Sequence, residues 1–376
     1  MKKILIITGS FEIGGSRSSL YSLLSVLDPN KVQVDVFARE RTGPLMDSMK
    51  NCKILPENIW LSHRILKGNK IKQSVCRILY YLRGAFQKLG LDLFKYYNYI
   101  GGKQIGSDNY DAVIGFDETL PRFVSYLPAK KRISWLHCDY RRHAHGINET
   151  SYYNKIDTIV CVSKFAQDTI LEVLPQFKEK TVVLHNAINI ENIVAKSKKT
   201  KPEVECIFED KKFTMISIGR LDQVKQFDKI PAIAAEVKKI LRGSHDFQWL
   251  IVGGGNELVK RDIESEIKKY DVANEVKMLG MQSNPYTYLG KSDLYVCTSS
   301  SETFSYTIHE GLALKVPFIC NTFPSASESV HVGKEGFIMP IEEMPQKIAS
   351  LIINPIKIDD CTISNDQLLR DFYNLI

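Results

Sequence analysis

Lys3-Ile4-Leu5-Ile6-Ile7-Thr8-Gly9-Ser10-Phe11-Glu12-Ile13-Gly14-Gly15 opens the chain with an apolar run that breaks into a glycine-containing loop. Behind it, Leu20, Leu23, Leu24 and Leu27 recur at helical spacing. A buried strand, a loop and a helix in that order begin an α/β domain of the nucleotide-binding type. The same order starts again at Phe213-Thr214-Met215-Ile216-Ser217-Ile218, which runs into Gly219-Arg220-Leu221-Asp222-Gln223-Val224-Lys225 and a helix to Leu241. Strand-like runs fall between the two openings at 32–37, 112–116, 132–136, 158–162 and 181–184, and after the second at 248–252 and 294–297. Helical stretches between several of them predict parallel sheets. Neither the loop 9–15 nor the turn Gly253-Gly254-Gly255, where Leu258 stands in place of the third glycine, follows Gly-x-Gly-x-x-Gly, so no dinucleotide site is predicted.

At 376 residues the chain is long enough for two domains. The expected division is a first domain over 1–193, a hydrophilic linker over 194–210, a second domain over 211–355 and a closing helical segment over 356–376. Hydrophobic content of 44% and charged content of 25% are those of a soluble globular protein. The eight cysteines are scattered without a Cys-x-x-Cys pair, which predicts a reducing, cytoplasmic setting and no zinc site or disulfide framework. The opening apolar run ends at Thr8-Gly9, too short for a signal peptide, and no run approaches the ~20 apolar residues of a membrane span.

Charge is concentrated in one place. Residues 60–105 carry nine Lys and Arg against Asp92, a net +8, whereas the whole chain is only +7. Within that segment Ile71, Val75, Ile78, Leu82, Phe86 and Leu89 fall on one helical stripe. Lys72 and Arg83 flank it on one side, Arg77 and Lys88 on the other. Two readings stand: an interfacial helix on anionic lipid, or a helix whose stripe faces the domain core with its lysines in water. No nucleic-acid-binding motif accompanies the charge.

The second half concentrates polar chemistry. After the strand 294–297 comes Ser299-Ser300-Ser301-Glu302-Thr303-Phe304-Ser305, and from about Ser305 a helix that carries Glu310. Backbone N–H groups at a helix start suit a phosphate, and carboxylates accept hydrogen bonds from sugar and ribose hydroxyls. A polyhydroxylated, phosphorylated ligand such as a nucleotide-sugar fits both. His137 directly follows the strand 132–136, where open α/β sheets bind ligands, although a lone His is also a common structural residue. Arg141 and Arg142 either meet phosphate or form a solvated charge pair.

At these residues the sequence resembles the retaining GT-B glycosyltransferases of the glycosyltransferase 4 type. Gly219-Arg220-Leu221 with Lys225 matches that family's Gly-Arg-Leu-x-x-x-Lys. Glu302 and Glu310 match its two glutamates, and His185-Asn186-Ala187-Ile188-Asn189 is similar to the sequence closing its first domain. The resemblance implies two Rossmann-like domains with parallel sheets facing an interdomain cleft, and a closing helix that packs back on the first domain. It implies that Arg220 and Lys225 clamp the donor diphosphate, Glu302 holds donor-sugar hydroxyls, Glu310 holds the ribose and His137 lies against the donor sugar. It also sets Gly14 and Gly15 at the donor phosphate or the acceptor, a pure turn role remaining the other reading, and Gly219 and Gly253 at the nucleotide-sugar. Thr303, Phe304 and Ser305 stand at the donor where the family has Gly-Phe-Gly, which narrows the approach to that backbone.

The activity so implied is transfer of a sugar, with retention, from a UDP- or GDP-sugar to an acceptor hydroxyl on a lipid-linked or surface polysaccharide precursor. No Asp-x-Asp is present, so neither a metal nor a further cofactor is expected. Partners would be the nucleotide-sugar, a glycan or lipid-linked acceptor and, through 60–105, the inner face of an anionic membrane. A sugar-nucleotide epimerase of the same architecture and a non-enzymatic membrane-surface binder are the alternatives. Nucleic acid is not an expected partner.

Overall fold

A computed structural model of the chain describes residues 1–12, 14–62, 65, 68–89, 93–143, 149–208, 212–328, 330, 332–360 and 363–376. Arg64, Lys67 and Asp92 of the basic segment lie outside the described residues, as does the side chain of Lys88. The chain divides into two compact units, Met1–Ala187 with Asn365–Ile376, and Ile188–Ser364.

The first unit holds strands β1 (Lys2–Thr8), β2 (Val32–Ala38), β3 (Lys53–Ile54), β4 (Ala112–Gly115), β5 (Arg132–Leu136), β6 (Thr158–Cys161) and β7 (Thr181–Val183). They pair in the order β3-β2-β1-β4-β5-β6-β7, parallel throughout. Ile4, Leu5, Ile6 and Ile7 of β1 are each fully buried, because a central parallel strand is covered on both faces. Each such side chain contributes roughly 1.5–3 kcal/mol relative to exposure. The two-residue β3 is too short to leave a pattern in the sequence.

The closing helix, Asp366–Leu375, is part of this first unit. Its Phe372 is buried with its ring 6.2 Å from that of Trp135. The Tyr373 hydroxyl accepts from the backbone N–H of Asp28 at 2.9 Å.

The basic amphipathic segment forms the helix Lys70–Lys88. Of the two readings of its stripe, the core-facing one fails. Ile71 is 73% exposed, Ile78 58% and Leu82 43%. The other side holds the helix in place: Cys76 is buried, and Arg83 donates to the carbonyl of Trp60 at 2.8 Å while lying 4.4 Å from the centre of the Tyr97 ring. Arg83 is thus an anchor and does not flank the stripe as a free cation. Among the described residues no helix is long and apolar enough to cross a membrane. All seven described cysteines are free thiols.

The second unit holds β8 (Phe213–Ile218), β9 (Phe247–Val252), β10 (Val276–Gly280), β11 (Leu294–Cys297), β12 (Phe318–Cys320) and β13 (Gly336–Ile338). They pair in the order β10-β9-β8-β11-β12-β13, again parallel. The stretch 194–210, expected as a linker, carries the end of the helix Ile190–Ser197 and a short helix, Pro202–Glu205, and is part of this unit. Ser217, wholly buried in β8, donates to the carbonyl of Val296 at 2.6 Å and accepts from the Trp249 indole at 3.0 Å. The sheet interior is therefore polar only where the polarity is satisfied.

The strand order reverses between β8 and β11. Ligands of open α/β sheets bind beyond the carboxyl ends of the strands at such a reversal, and the turns after β8, β9 and β11 meet there. Their approach is close. At Gly253, with φ of 155°, an added Cβ would stand 1.8 Å from the carbonyl oxygen of Gly219. The Gly253→Ala protein is expected to lose roughly 2–4 kcal/mol, from backbone strain plus overpacking, measured by urea unfolding. An unchanged midpoint would show that the turn can relax away.

Candidate active site

The turn after β8 is built by Asp222. One carboxylate oxygen accepts from the backbone N–H of Lys225 at 3.1 Å, capping a 3₁₀ turn over Gln223–Lys225. The other lies 3.2 Å from the Arg220 guanidinium. Arg220 is 85% exposed in its side chain, so that pair adds little stability and leaves the cation free to re-aim. Gly219 keeps the space beside the Lys225 stem open: an added Cβ would stand 3.2 Å from Lys225 Cε and 3.3 Å from Phe227 Cζ.

Lys225 and Glu302 are brought into contact across the β8 and β11 turns. The ammonium lies 2.5 Å from Glu302 Oε1, with side-chain exposures of 21% and 15%. Burial works against the lysine's charge, but the Glu302 carboxylate outweighs it and holds the ammonium above the usual lysine range. The same carboxylate oxygen accepts from the Ser299 hydroxyl at 2.7 Å. Backbone bonds lock the two turns together: Ser300 N–H donates to the Val224 carbonyl at 2.8 Å, and the Thr298 hydroxyl to the Lys225 carbonyl at 2.7 Å. From the end of β12, Asn321 donates to the Ser299 carbonyl at 3.1 Å, and the Ser325 hydroxyl to the Glu302 carbonyl at 2.7 Å.

The helix with the second glutamate is Tyr306–Ala313, and Ser305 occupies its N-cap position without a side-chain cap bond. Phe304 is fixed by stacking on His309, with ring centres 4.4 Å apart and planes 13° apart. His309 Nδ1 donates to the Ser305 carbonyl at 2.8 Å. Thr303, Phe304 and Ser305 thus form the short bridge from Glu302 to the helix start. Glu310 is not part of the Lys225–Glu302 contact. Its Oε1 accepts from the Tyr286 hydroxyl at 2.8 Å, and the Lys196 ammonium lies 5.8 Å from the Tyr286 ring centre. Burial raises the Glu310 carboxyl above the usual glutamate range, with Tyr286 and Lys196 pulling the other way.

His137, Gly14 and Gly15 belong to the first unit. His137 sits past β5 with its ring 5.0 Å from that of Phe116. Burial, helped by the Arg17 charge, lowers its pKa to about 3, so it is a neutral imidazole at working pH. Gly14 has φ of 177°, ordinary extended backbone, and an added Cβ would meet only Arg17 Cδ, at 4.0 Å. At Gly15 an added Cβ would meet nothing within 4 Å. The pure turn reading of these glycines therefore fails, since the backbone asks for glycine at neither. Arg141 is forked onto Asp139, with two bonds of 2.9 Å, and Arg142 lies 3.5 Å from the same carboxylate.

Sequence reasoning missed Asp222, Ser299, Asn321, Ser325 and Tyr286 as supports. Asp222 was discoverable, because an Asp three residues before a turn's last N–H is a capping signal. Ser299 reaches Glu302 within the same loop, while Asn321, Ser325 and Tyr286 act on partners more than twenty residues away, which no local pattern reports.

Residues 198–365 match the sequence model of the family described as glycosyl transferases group 1. A curated relative, N-acetylgalactosamine-N,N'-diacetylbacillosaminyl-diphospho-undecaprenol 4-alpha-N-acetylgalactosaminyltransferase of Campylobacter jejuni, is 28% identical over 190 residues, 50% of this chain and 48% of that one. N-acetyl-alpha-D-glucosaminyl L-malate synthase of Bacillus anthracis is 26% identical over 186 residues, 49% of this chain and 46% of that one. The chain thus spans about half the length of the curated relatives it matches. In fold, it resembles a glycosyltransferase from Rickettsia africae over 100% of this chain and 97% of that one, with a TM-score of 0.70 and 17% identity. It resembles Anabaena HepE in complex with UDP over 99% and 95%, with a TM-score of 0.65 and 15% identity. The fold is that of the GT-B glycosyltransferases, two Rossmann-like units with parallel sheets.

Glu310 generates a pH prediction. Its folded pKa is raised, so the folded protein holds a proton there at pH values where the unfolded chain has released it. The group's stability contribution therefore falls as pH rises from about 4.3, the unfolded glutamate value, through the raised folded value. Glu310→Gln keeps an acceptor for Tyr286 and removes that loss. Its melting temperature is expected to exceed wild type at pH 7 and to converge with it near pH 4. A difference independent of pH would contradict the assignment.

Proposed function

We propose, from the premise that residues 198–365 belong to the glycosyl transferases group 1 family, that the protein is a retaining glycosyltransferase acting on a lipid-linked or surface polysaccharide precursor. The observation that carries the reading is the 2.5 Å Lys225–Glu302 pair at the strand-order reversal of the second unit. A cation and a carboxylate held together there offer one group to a diphosphate and one to sugar hydroxyls. The UDP complex of the Anabaena protein supports a nucleotide-sugar donor, UDP- or GDP-linked. The undecaprenol-diphosphate acceptor named for the Campylobacter relative supports a lipid-linked acceptor.

In this reading the donor diphosphate approaches the turn after β8. Lys225, kept charged by Glu302, meets it as a fixed cation, and exposed Arg220 swings from Asp222 to join it. Glu302 then takes the donor-sugar hydroxyls and Glu310 the ribose, while the bridge Thr303-Phe304-Ser305 sets how near the sugar comes. Charge that develops on the leaving diphosphate is met by groups already in place. An oxygen of that diphosphate receives the acceptor hydroxyl's proton, so the protein supplies no nucleophile. Gly14 and Gly15, free of steric demand from their own chain, leave room for a phosphate or acceptor to approach the first unit. His137, neutral, can hydrogen-bond a sugar hydroxyl without adding charge. We further propose that transfer needs no metal, with Lys225 and Arg220 as the counter-charges; full turnover in EDTA is the corresponding result.

Lys225→Ala is expected to lower transfer from the nucleotide-sugar about 100- to 1000-fold. Its melting temperature should also fall, because Glu302 keeps only Ser299. Retained turnover in a chromatographic assay would refute the diphosphate role. Free changed sugar without acceptor would instead identify an epimerase.

The exposed stripe of the helix Lys70–Lys88 supports a peripheral membrane site. With Lys70, Lys72 and Arg77 changed to Gln, sedimentation with phosphatidylserine vesicles is expected to drop several-fold. Unaltered sedimentation would remove the membrane from the account.

A further inference from the structure

The first unit has its own strand-order reversal, between β1 and β4, and charged side chains gather at its carboxyl edge. Gly9 ends β1 there, and a Cβ added to it would stand 2.9 Å from Arg17 Nη2 and 3.6 Å from Asp117 Oδ2. Arg17 Nη2 lies 3.7 Å from that same carboxylate oxygen. Asp117 is buried after β4, and its other oxygen accepts from the backbone N–H of Thr119 at 2.9 Å.

Arg39 follows β2, and the backbone N–H groups of Arg39 and Glu40 donate to the carbonyls of Thr8 and Gly9 at 3.0 and 2.9 Å. The Arg39 guanidinium lies 5.1 Å from the centre of the Phe123 ring. Its Nε is buried without a hydrogen-bond partner, and among the described residues no carboxylate lies within ion-pair distance of it. Asp117 and Glu40 attract it from farther off, while Arg83 and Arg122 repel it. Burial first, and then those cations, lower its pKa to about 10. Arg83, which spends Nη2 on the Trp60 carbonyl, also has a buried Nε without a partner, and so does Arg17. Arg122 lies 4.5 Å from the centre of the Phe94 ring. Desolvating several guanidiniums next to one another is unfavourable unless an anion joins them. The planar fork of arginine matches phosphate oxygens two at a time.

We propose that Arg39, with Arg17 and Arg83 beside it, forms an oxyanion site for a phosphoryl or diphosphate group at the strand-order reversal of the first unit. A diphosphate presents oxygens on several sides and can satisfy more than one fork, whereas a single carboxylate fills one. On the glycosyl-transfer reading, from which it takes only the ligand's source, this anion is the phosphate of the acceptor. The site would then select acceptors that carry a phosphorylated anchor over neutral glycans.

Hydrogen exchange read by mass spectrometry on the full chain tests this, with inorganic pyrophosphate, farnesyl diphosphate and UDP as probes. Pyrophosphate and farnesyl diphosphate are expected to slow exchange over 9–17, 39–41 and 117–124, and UDP to slow it over 219–225 and 299–310. Slowing by farnesyl diphosphate beyond that by pyrophosphate assigns the anion to a lipid-linked acceptor; equal slowing assigns it to the phosphate alone. Pyrophosphate protection confined to the second unit, or absent altogether, overturns the site. Arg39→Gln is expected to weaken pyrophosphate at least tenfold and leave UDP affinity unchanged; undiminished pyrophosphate affinity overturns it too. Should that variant not fold, Arg39→Lys, which keeps the charge and loses the fork, is expected to fall in between. Protection of the first unit in a protein that transfers no sugar would leave this site standing and remove the glycosyl-transfer reading.

Discussion

A lysine and a glutamate from different strand ends, 2.5 Å apart and largely shielded from water, set the terms for the second unit. Placing an ammonium there is unfavourable by itself, and the facing carboxylate more than offsets that cost. A partly buried pair of this kind is weak evidence of stability, because well-packed apolar residues would often serve as well. On the proposed reading its geometry serves a reaction instead: a cation that stays a cation and is fixed before the substrate arrives.

That fixity comes from the backbone on either side. Strand-order reversal puts the turns after β8 and β11 side by side, and Thr298 and Ser300 fasten one to the other. Gly219 lets the Lys225 stem run close to the chain, and Gly253 lets the β9 turn close against Gly219. Asp222 does two jobs from one carboxylate, shaping the turn and restraining Arg220. Glu310 contrasts with all of this: it is held on Tyr286, apart from the ion pair, and its burial makes its charge unfavourable.

Much of this could be read from the sequence, for identifiable reasons. Doubly covered parallel strands are continuous apolar runs, so 132–136, 213–218 and 294–297 show as strands of the same bounds. Lys225 and Glu302 stood out because their spacing matched a known pattern. Asn321 and Ser325 did not, since they act between elements distant in sequence. The stripe on Lys70–Lys88 was legible as amphipathic, but periodicity cannot say whether an apolar face meets core or surroundings; the burial of Cys76 and the anchoring of Arg83 decide that. The turn role offered for Gly14 and Gly15 failed because a glycine pair in a loop carries no record of its own φ.

The most direct test of the central claim is a crystal structure of the protein with a non-hydrolysable nucleotide-sugar. The account predicts a diphosphate oxygen within hydrogen-bond distance of Lys225 Nζ, with Glu302 turned to hydroxyls of the donor sugar. A diphosphate bound elsewhere on the second unit, with Lys225 still closed on Glu302, would contradict it.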